Sequence, residues 1–131
     1  MDDPVWLEEA VVLALHSDQI QAFGGLGGIR DYGLLASALA RPRYLWALGN
    51  PRPDIVALAA SLTFGLARNH PFVDGNKRIA LIACHTFLQL NGKRLVADQQ
   101  SQVDAILRLA AGEMGEIELL DWLRPRVQEL A

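Results

Sequence analysis

Ile55-Val-Ala-Leu-Ala-Ala-Ser-Leu-Thr-Phe-Gly-Leu-Ala-Arg68 and Ile79-Ala-Leu-Ile-Ala-Cys-His-Thr-Phe-Leu-Gln-Leu90 are two apolar runs separated by the polar segment His70-Pro-Phe-Val-Asp-Gly-Asn-Lys-Arg78. The first run is alanine- and leucine-rich and nearly apolar all round, which marks a central buried helix. Asp54 stands where its N-cap belongs, and His70-Pro71 ends it, because the residue before a proline is pushed out of the helical region. From about Asn76 the chain reads as helix again until Asn91-Gly92 supplies a left-handed C-cap. A core built around such helices places the chain in the all-α class.

Outward from this centre, the spacing of Val5, Leu7, Val11, Val12 and Leu15 predicts an amphipathic helix that starts after Pro4 and stops near Ser17. Four glycines between Phe23 and Ile29 make a loop, since each would cost a helix interior about 1 kcal/mol. Asp31 caps a short second helix through Leu34, Leu35, Ala38 and Leu39, which Pro42 closes. Residues 41–53, with Pro42, Gly49, Asn50, Pro51 and Pro53, read as an irregular connection anchored by Tyr44 and Trp46. Beyond Gly92, Lys93 to Ala97 forms a short extended piece, and two amphipathic helices, Gln102–Ala111 and Ile117–Leu130, are separated by Gly112 and Gly115. There is no internal repeat, so the expectation is six or so helices in a single domain, residues 1–131.

A net charge of −3 and a pI near 5.5 supply no basic field, so direct binding of nucleic acid is not expected. The lone Cys84 cannot form an internal disulfide, which fits a reducing compartment. The start Met-Asp-Asp-Pro is acidic where a signal peptide is basic, and no apolar run approaches the roughly 20 residues that span a bilayer. The expected location is the cytoplasm, without membrane association.

The chemistry concentrates in residues 70–78. A tight loop running into a helix N-terminus, with Gly75 letting backbone amides converge, is an anion-binding device. Asn76 can donate its amide, Lys77 brings a mobile point charge, and Arg78 a fork suited to two oxygens of one phosphate. A bare carboxylate at Asp74 would repel phosphate, so its presence implies a divalent ion between them, most naturally Mg²⁺. His70 suits a general base, because imidazole is largely neutral near pH 7. Phe72 should point into the core and hold the loop rigid. A purely structural account makes His70 a cap, Asp74 and Asn76 N-caps, and Lys77 and Arg78 solvated charges. Against that account, two successive cations in a first turn oppose the helix dipole unless an anion sits there.

His70-Pro-Phe-Val-Asp-Gly-Asn-Lys-Arg78 resembles the signature of the Fic/Doc (Fido) superfamily, in its death-on-curing (Doc) branch. The Fic form is His-Pro-Phe-x-Asp/Glu-Gly-Asn-Gly-Arg, and Lys77 stands where its second glycine would be. The resemblance extends to Phe23-Gly-Gly-Leu-Gly-Gly-Ile-Arg-Asp31, Leu35-Ala-Ser-Ala-Leu-Ala-Arg-Pro42 and Phe87-Leu-Gln-Leu-Asn-Gly92. It implies a Fido-type helical bundle with the motif loop between two central helices. It also implies a toxin neutralised by a small antitoxin, Phd-like or of another type, which transfers the γ-phosphate of ATP to a threonine of elongation factor Tu and arrests translation. By position, His70 would be the base, Asp74 the Mg²⁺ site, and Asn76, Lys77 and Arg78 the phosphate grip, with Gly75 shaping the anion nest; apart from the resemblance, Arg68, two residues before His70, lies within reach of a bound nucleotide. Lysine in place of glycine adds bulk and charge, so a nucleotide would lie differently and present a different phosphorus to the hydroxyl.

Two departures matter. Leu81 replaces the further arginine usual in Fic enzymes, which weakens AMP transfer, the alternative activity. Gly75 is the Fic-like choice where the Doc prototype has alanine. No inhibitory Ser/Thr-x-x-x-Glu-Gly/Asn helix is present, so inhibition falls to a partner. A catalytically silent anion- or antitoxin-binding module is the rival from another class, while a metal nuclease lacks a second acidic cluster. Arg68 at a helix C-terminus is also an ordinary dipole partner. The glycine loop at 24–28 and Arg30 read as turn residues rather than site residues. His16, His85, Cys84, Trp6, Trp46 and Trp122 read as packing or surface residues.

Overall fold

In the computed structural model, which describes residues 3–130, six helices and two short strands follow one another. They are α1 (Glu9–Phe23), α2 (Tyr32–Leu48), α3 (Ile55–Asn69), α4 (Asn76–Leu90), β1 (Lys93–Leu95), α5 (Gln99–Ala110), α6 (Glu116–Leu123), a 3-10 turn (Arg124–Arg126) and β2 (Val127–Glu129). Met1 and Asp2, which carry part of the acidic start, and Ala131 lie outside the described residues. None of the described helices is long and apolar enough to cross a membrane. The all-α class expected from the two apolar runs is what the chain adopts.

α3 occupies the centre, with α2, α4, α5 and α6 all packed against it. Eleven of its 15 residues are buried, so it has no face left for solvent. Asp54 caps it as expected, its carboxylate accepting from the Ala57 amide at 2.9 Å. The buried Thr63 hydroxyl donates to the Ala59 carbonyl at 2.8 Å. At Gly65 α3 lies close against α2: a Cβ there would stand 3.2 Å from the Ala38 Cα. α4, by contrast, buries one side through Ile79, Ala80, Ala83, Cys84, Phe87 and Leu88, leaving Lys77 and Arg78 exposed at its head.

Several boundaries move. α2 does not stop at Pro42 but carries it as an interior residue to Leu48. An interior proline costs about 3 kcal/mol. Here its ring is buried beside Trp6, Leu39, Leu62 and Phe87, and one turn later Trp46 is buried too, which offsets the cost. Trp46 is therefore an anchor, whereas Tyr44, 65% exposed, is not. α1 starts four residues later than the spacing suggests, because the Asn91 side chain bonds both the Val5 amide (2.8 Å) and the Val5 carbonyl (2.9 Å) and holds that stretch extended. The same helix runs on past Ser17 to Phe23. The last helix ends at Leu123, not Leu130. Pro125 lies in the 3-10 turn, and residues 127–129 pair antiparallel with 93–95, Leu95 opposite Val127.

Candidate active site

The polar segment forms the turn between α3 and α4. α3 closes with Asn69, whose side-chain amide donates to the Leu34 carbonyl at 2.9 Å. His70 then takes a left-handed backbone (φ 48°, ψ 57°), a conformation that costs a non-glycine residue and persists only where its surroundings enforce it. Arg30 does so: its Nε donates to the His70 carbonyl at 2.7 Å and its Nη2 to the Asn69 carbonyl at 2.8 Å. The glycine-rich segment lies antiparallel along the turn. The amides of Arg30 and Asp31 bond the Pro71 carbonyl, Ile29 bridges Phe72, and the Val73 amide donates to the Gly28 carbonyl. Phe72 is buried as expected.

Asp74 is exposed, and both of its carboxylate oxygens are occupied by backbone amides, Leu26 at 3.2 Å and Gly75 at 2.9 Å. Those two bonds, with the nearby Arg78 charge, hold its carboxyl below the ordinary value of 3.8. Asn76 braces the turn, its Oδ1 accepting from the Phe72 amide (2.9 Å) and its Nδ2 donating to the Phe72 carbonyl (3.0 Å). One amide hydrogen of Asn76 is left for a ligand. Aspartates cap α2, α3 and α5, but α4 begins at Gly75 without a side-chain cap. The backbone amides of Asn76, Lys77 and Arg78 have no acceptor among the described residues. Three unpaired donors therefore sit at the positive end of a 15-residue helix.

Two hollows open here. One, of about 360 Å³, is bounded by residues 74–78 on one side and by Leu81, Val103, Ile106 and Leu107 on the other. The second, of about 480 Å³, is bounded by His70, Lys77, Leu107, Arg108 and Glu113. Lys77 and Leu107 border both, so Lys77 stands between the histidine side and the carboxylate side. Its ammonium makes no ion pair among the described residues, and the Arg78 guanidinium lies 4.9 Å over the Phe23 ring. Arg68 lines neither hollow: its guanidinium covers the Phe64 ring at 5.0 Å and reaches toward Gly112, next to the Ala111 and Glu113 that border the second.

The described residues hold no cluster of three or more metal-ligating side chains. A lone ionised carboxylate beside three unpaired amides fits Mg²⁺ of the kind that completes its shell with water and substrate phosphates. It does not fit a metal held by protein ligands alone.

Sequence reasoning missed four contributors. Leu26 and Arg30 hold the loop through their bonds to Asp74, His70 and Asn69, and His16 and Gln19 lie beneath it. The His16 Nε2 is 2.8 Å from the Asp74 carbonyl and the Gln19 Nε2 3.4 Å from the Gly75 carbonyl. One signal was present: Val12, His16 and Gln19 are spaced four and three apart, on one helical face, and that face is the buried one. Nothing local marks Arg30, because its partners lie 39 and 40 residues away.

A family model described as the Fic/DOC family matches residues 6–88. The chain is 51% identical over 77 residues to a protein of Mycolicibacterium smegmatis named Toxin Doc, an alignment covering 59% of each chain. It is 33% identical over 113 residues to a protein of Escherichia phage P1 named Protein kinase doc, covering 86% of this chain and 88% of the relative.

Proposed function

The chain belongs to the Fic/DOC family, and from that premise we propose that it is the toxin of a toxin–antitoxin pair, a protein kinase that transfers the γ-phosphate of ATP to a threonine of elongation factor Tu. The observation that carries this reading is Lys77: an ammonium without an ion pair among the described residues, at the uncapped head of α4, between the hollow that holds His70 and the one that holds Asp74. The names of the two relatives support a toxin and a kinase.

In this reading the free amides of residues 76–78, the Lys77 ammonium and the Arg78 guanidinium grip the polyphosphate, while the apolar wall of Leu81, Val103 and Leu107 takes less polar parts of the nucleotide. Asp74, kept ionised by its two amide bonds, would hold Mg²⁺, which supplies charge neutralisation to the phosphates when bound. His70, fixed by Arg30, takes the proton of the threonine hydroxyl as its oxygen bonds to the γ-phosphorus. The bond to the β-phosphate oxygen breaks, its electron pair leaves on ADP, and the proton stays on the imidazole until solvent removes it. A small antitoxin, supplied by a partner gene, would silence the site, and the cytoplasm is where target and nucleotide meet.

Incubation of purified elongation factor Tu with the protein, ATP and Mg²⁺ should add one phosphate to a threonine by mass spectrometry, and His70→Ala should abolish that gain. Addition of AMP instead would replace the kinase reading with nucleotidyl transfer.

A further inference from the structure

We propose that His16 is a positioning residue: from beneath the loop it sets the orientation of the Asp74–Gly75 peptide, and thereby the carboxylate and the outward-facing amides at the head of α4. The proposal deepens the reading of this loop as a phosphate site, and its first observations do not depend on that reading.

His16 is buried in α1 in line with Val12 and Gln19, its ring lying parallel to that of Phe72 with centroids 3.8 Å apart. A carbonyl oxygen only accepts, so the 2.8 Å contact with Asp74 O requires the proton on Nε2. The Asp74 carbonyl accepts from no other described residue. In a planar trans peptide the carbonyl and the following N–H point in opposite directions. Drawing Asp74 O down toward α1 therefore sends the Gly75 N–H upward, where it meets Asp74 Oδ1 at 2.9 Å. The next peptide repeats the pattern: Gly75 O accepts from Ile79 N at 3.0 Å and faces Gln19, so the Asn76 N–H is sent outward.

Position 75 makes this restraint necessary. Its φ is +75°, and glycine occupies either sign of φ, so the one local restraint against turning over the 74–75 peptide is the exposed Asp74 carboxylate on the Gly75 N–H. Turned over, it would present the Asp74 carbonyl oxygen to an arriving phosphate and strip one of two amides from the carboxylate. The Ile79 bond already fixes the 75–76 peptide; among the described residues the 74–75 one is held by His16 at its carbonyl and by the flexible Asp74 carboxylate at its N–H. Behind them Gln19, 3% exposed, fills the space against Gly75 with its Oε1 unpartnered among the described residues. A polar side chain placed there for packing alone would be a poor choice.

His16→Phe keeps an aromatic ring against Phe72 and removes only the donor; His16→Gln restores a donor. In His16→Phe, hydrogen exchange of the Gly75 amide should accelerate roughly tenfold, and affinity for MgATP should fall by about tenfold, the scale on which supporting hydrogen bonds act. His16→Gln should recover most of both. Unchanged exchange and affinity in His16→Phe would overturn the proposal. If that variant does not fold, ¹⁵N spectra of the wild-type imidazole decide: a protonated Nε2 is expected, and a bare Nε2 with the proton on Nδ1 overturns it. Failure of the wild type to bind MgATP would remove the kinase reading, while exchange and tautomer would still decide the role of His16.

Discussion

At position 75 the backbone stands at φ +75° and ψ 19° directly against the Gln19 amide, so two separate costs meet any side chain placed there. A left-handed backbone costs alanine roughly 1–2 kcal/mol, and its Cβ would collide with Gln19 Nε2. Gly75→Ala should therefore lower stability by about 2 kcal/mol in urea unfolding, the strain and the collision together. The loss should be smaller in a Gln19→Ala background, because the two changes share one space. Equal losses in both backgrounds would show that the collision relaxes at no cost. Asp74, Lys77 and His70 were legible as candidates because polar residues interrupted two apolar runs, and the structure gathers them around one loop. That Asn76 spends most of its amide on Phe72 was not legible, since bracing and ligand binding ask for the same residue type.

Between elements, the contact of α2 with α3 depends on small residues at the crossing. Gly65→Ala adds a methyl 3.2 Å from the Ala38 Cα and 2.9 Å from the Arg41 Cδ. Helix propensity favours alanine over glycine by about 1 kcal/mol, but overpacking against backbone costs about 1–3 kcal/mol, so the variant should lose stability by calorimetry. A gain would show that α2 shifts away freely. The same contact explains why Pro42 misled: a proline ends a helix on local grounds, and only the packing of its ring and of Trp46 keeps α2 going. α3 and α4 were legible to within a residue because Asp54, His70-Pro71 and Asn91-Gly92 punctuate them. β2 was not, since a strand of three residues takes its identity from Lys93–Leu95 across the sheet.

Across the whole molecule, carboxylates tie distant parts together. Burial pushes the Asp54 carboxyl up, but hydrogen bonds from Arg124 and the Ala57 amide, with the Arg124 charge, bring it below 3.8. Asp74 is held below the same value by the Leu26 and Gly75 amides. A folded-state value lower than the unfolded one contributes stability that is present above the unfolded value and lost as pH falls through the folded one. Stability should therefore be level at mildly acidic pH and fall below about pH 4, where carboxylates begin to protonate. Asp54→Asn and Asp74→Asn should each flatten that fall, as read from urea midpoints against pH; an unchanged slope would place the acid sensitivity elsewhere. On its own, the sequence determined the helical class, the central pair of helices and the polar loop between them, because periodicity, caps and a polar interruption are local properties of a chain. The tertiary structure alone decided what holds the loop in its working shape. His16, Gln19, Leu26 and Arg30 act on it from 39 to 58 residues away, and a contact at that range is fixed by the packing of α1 and the glycine segment against the turn, not by any spacing along the chain.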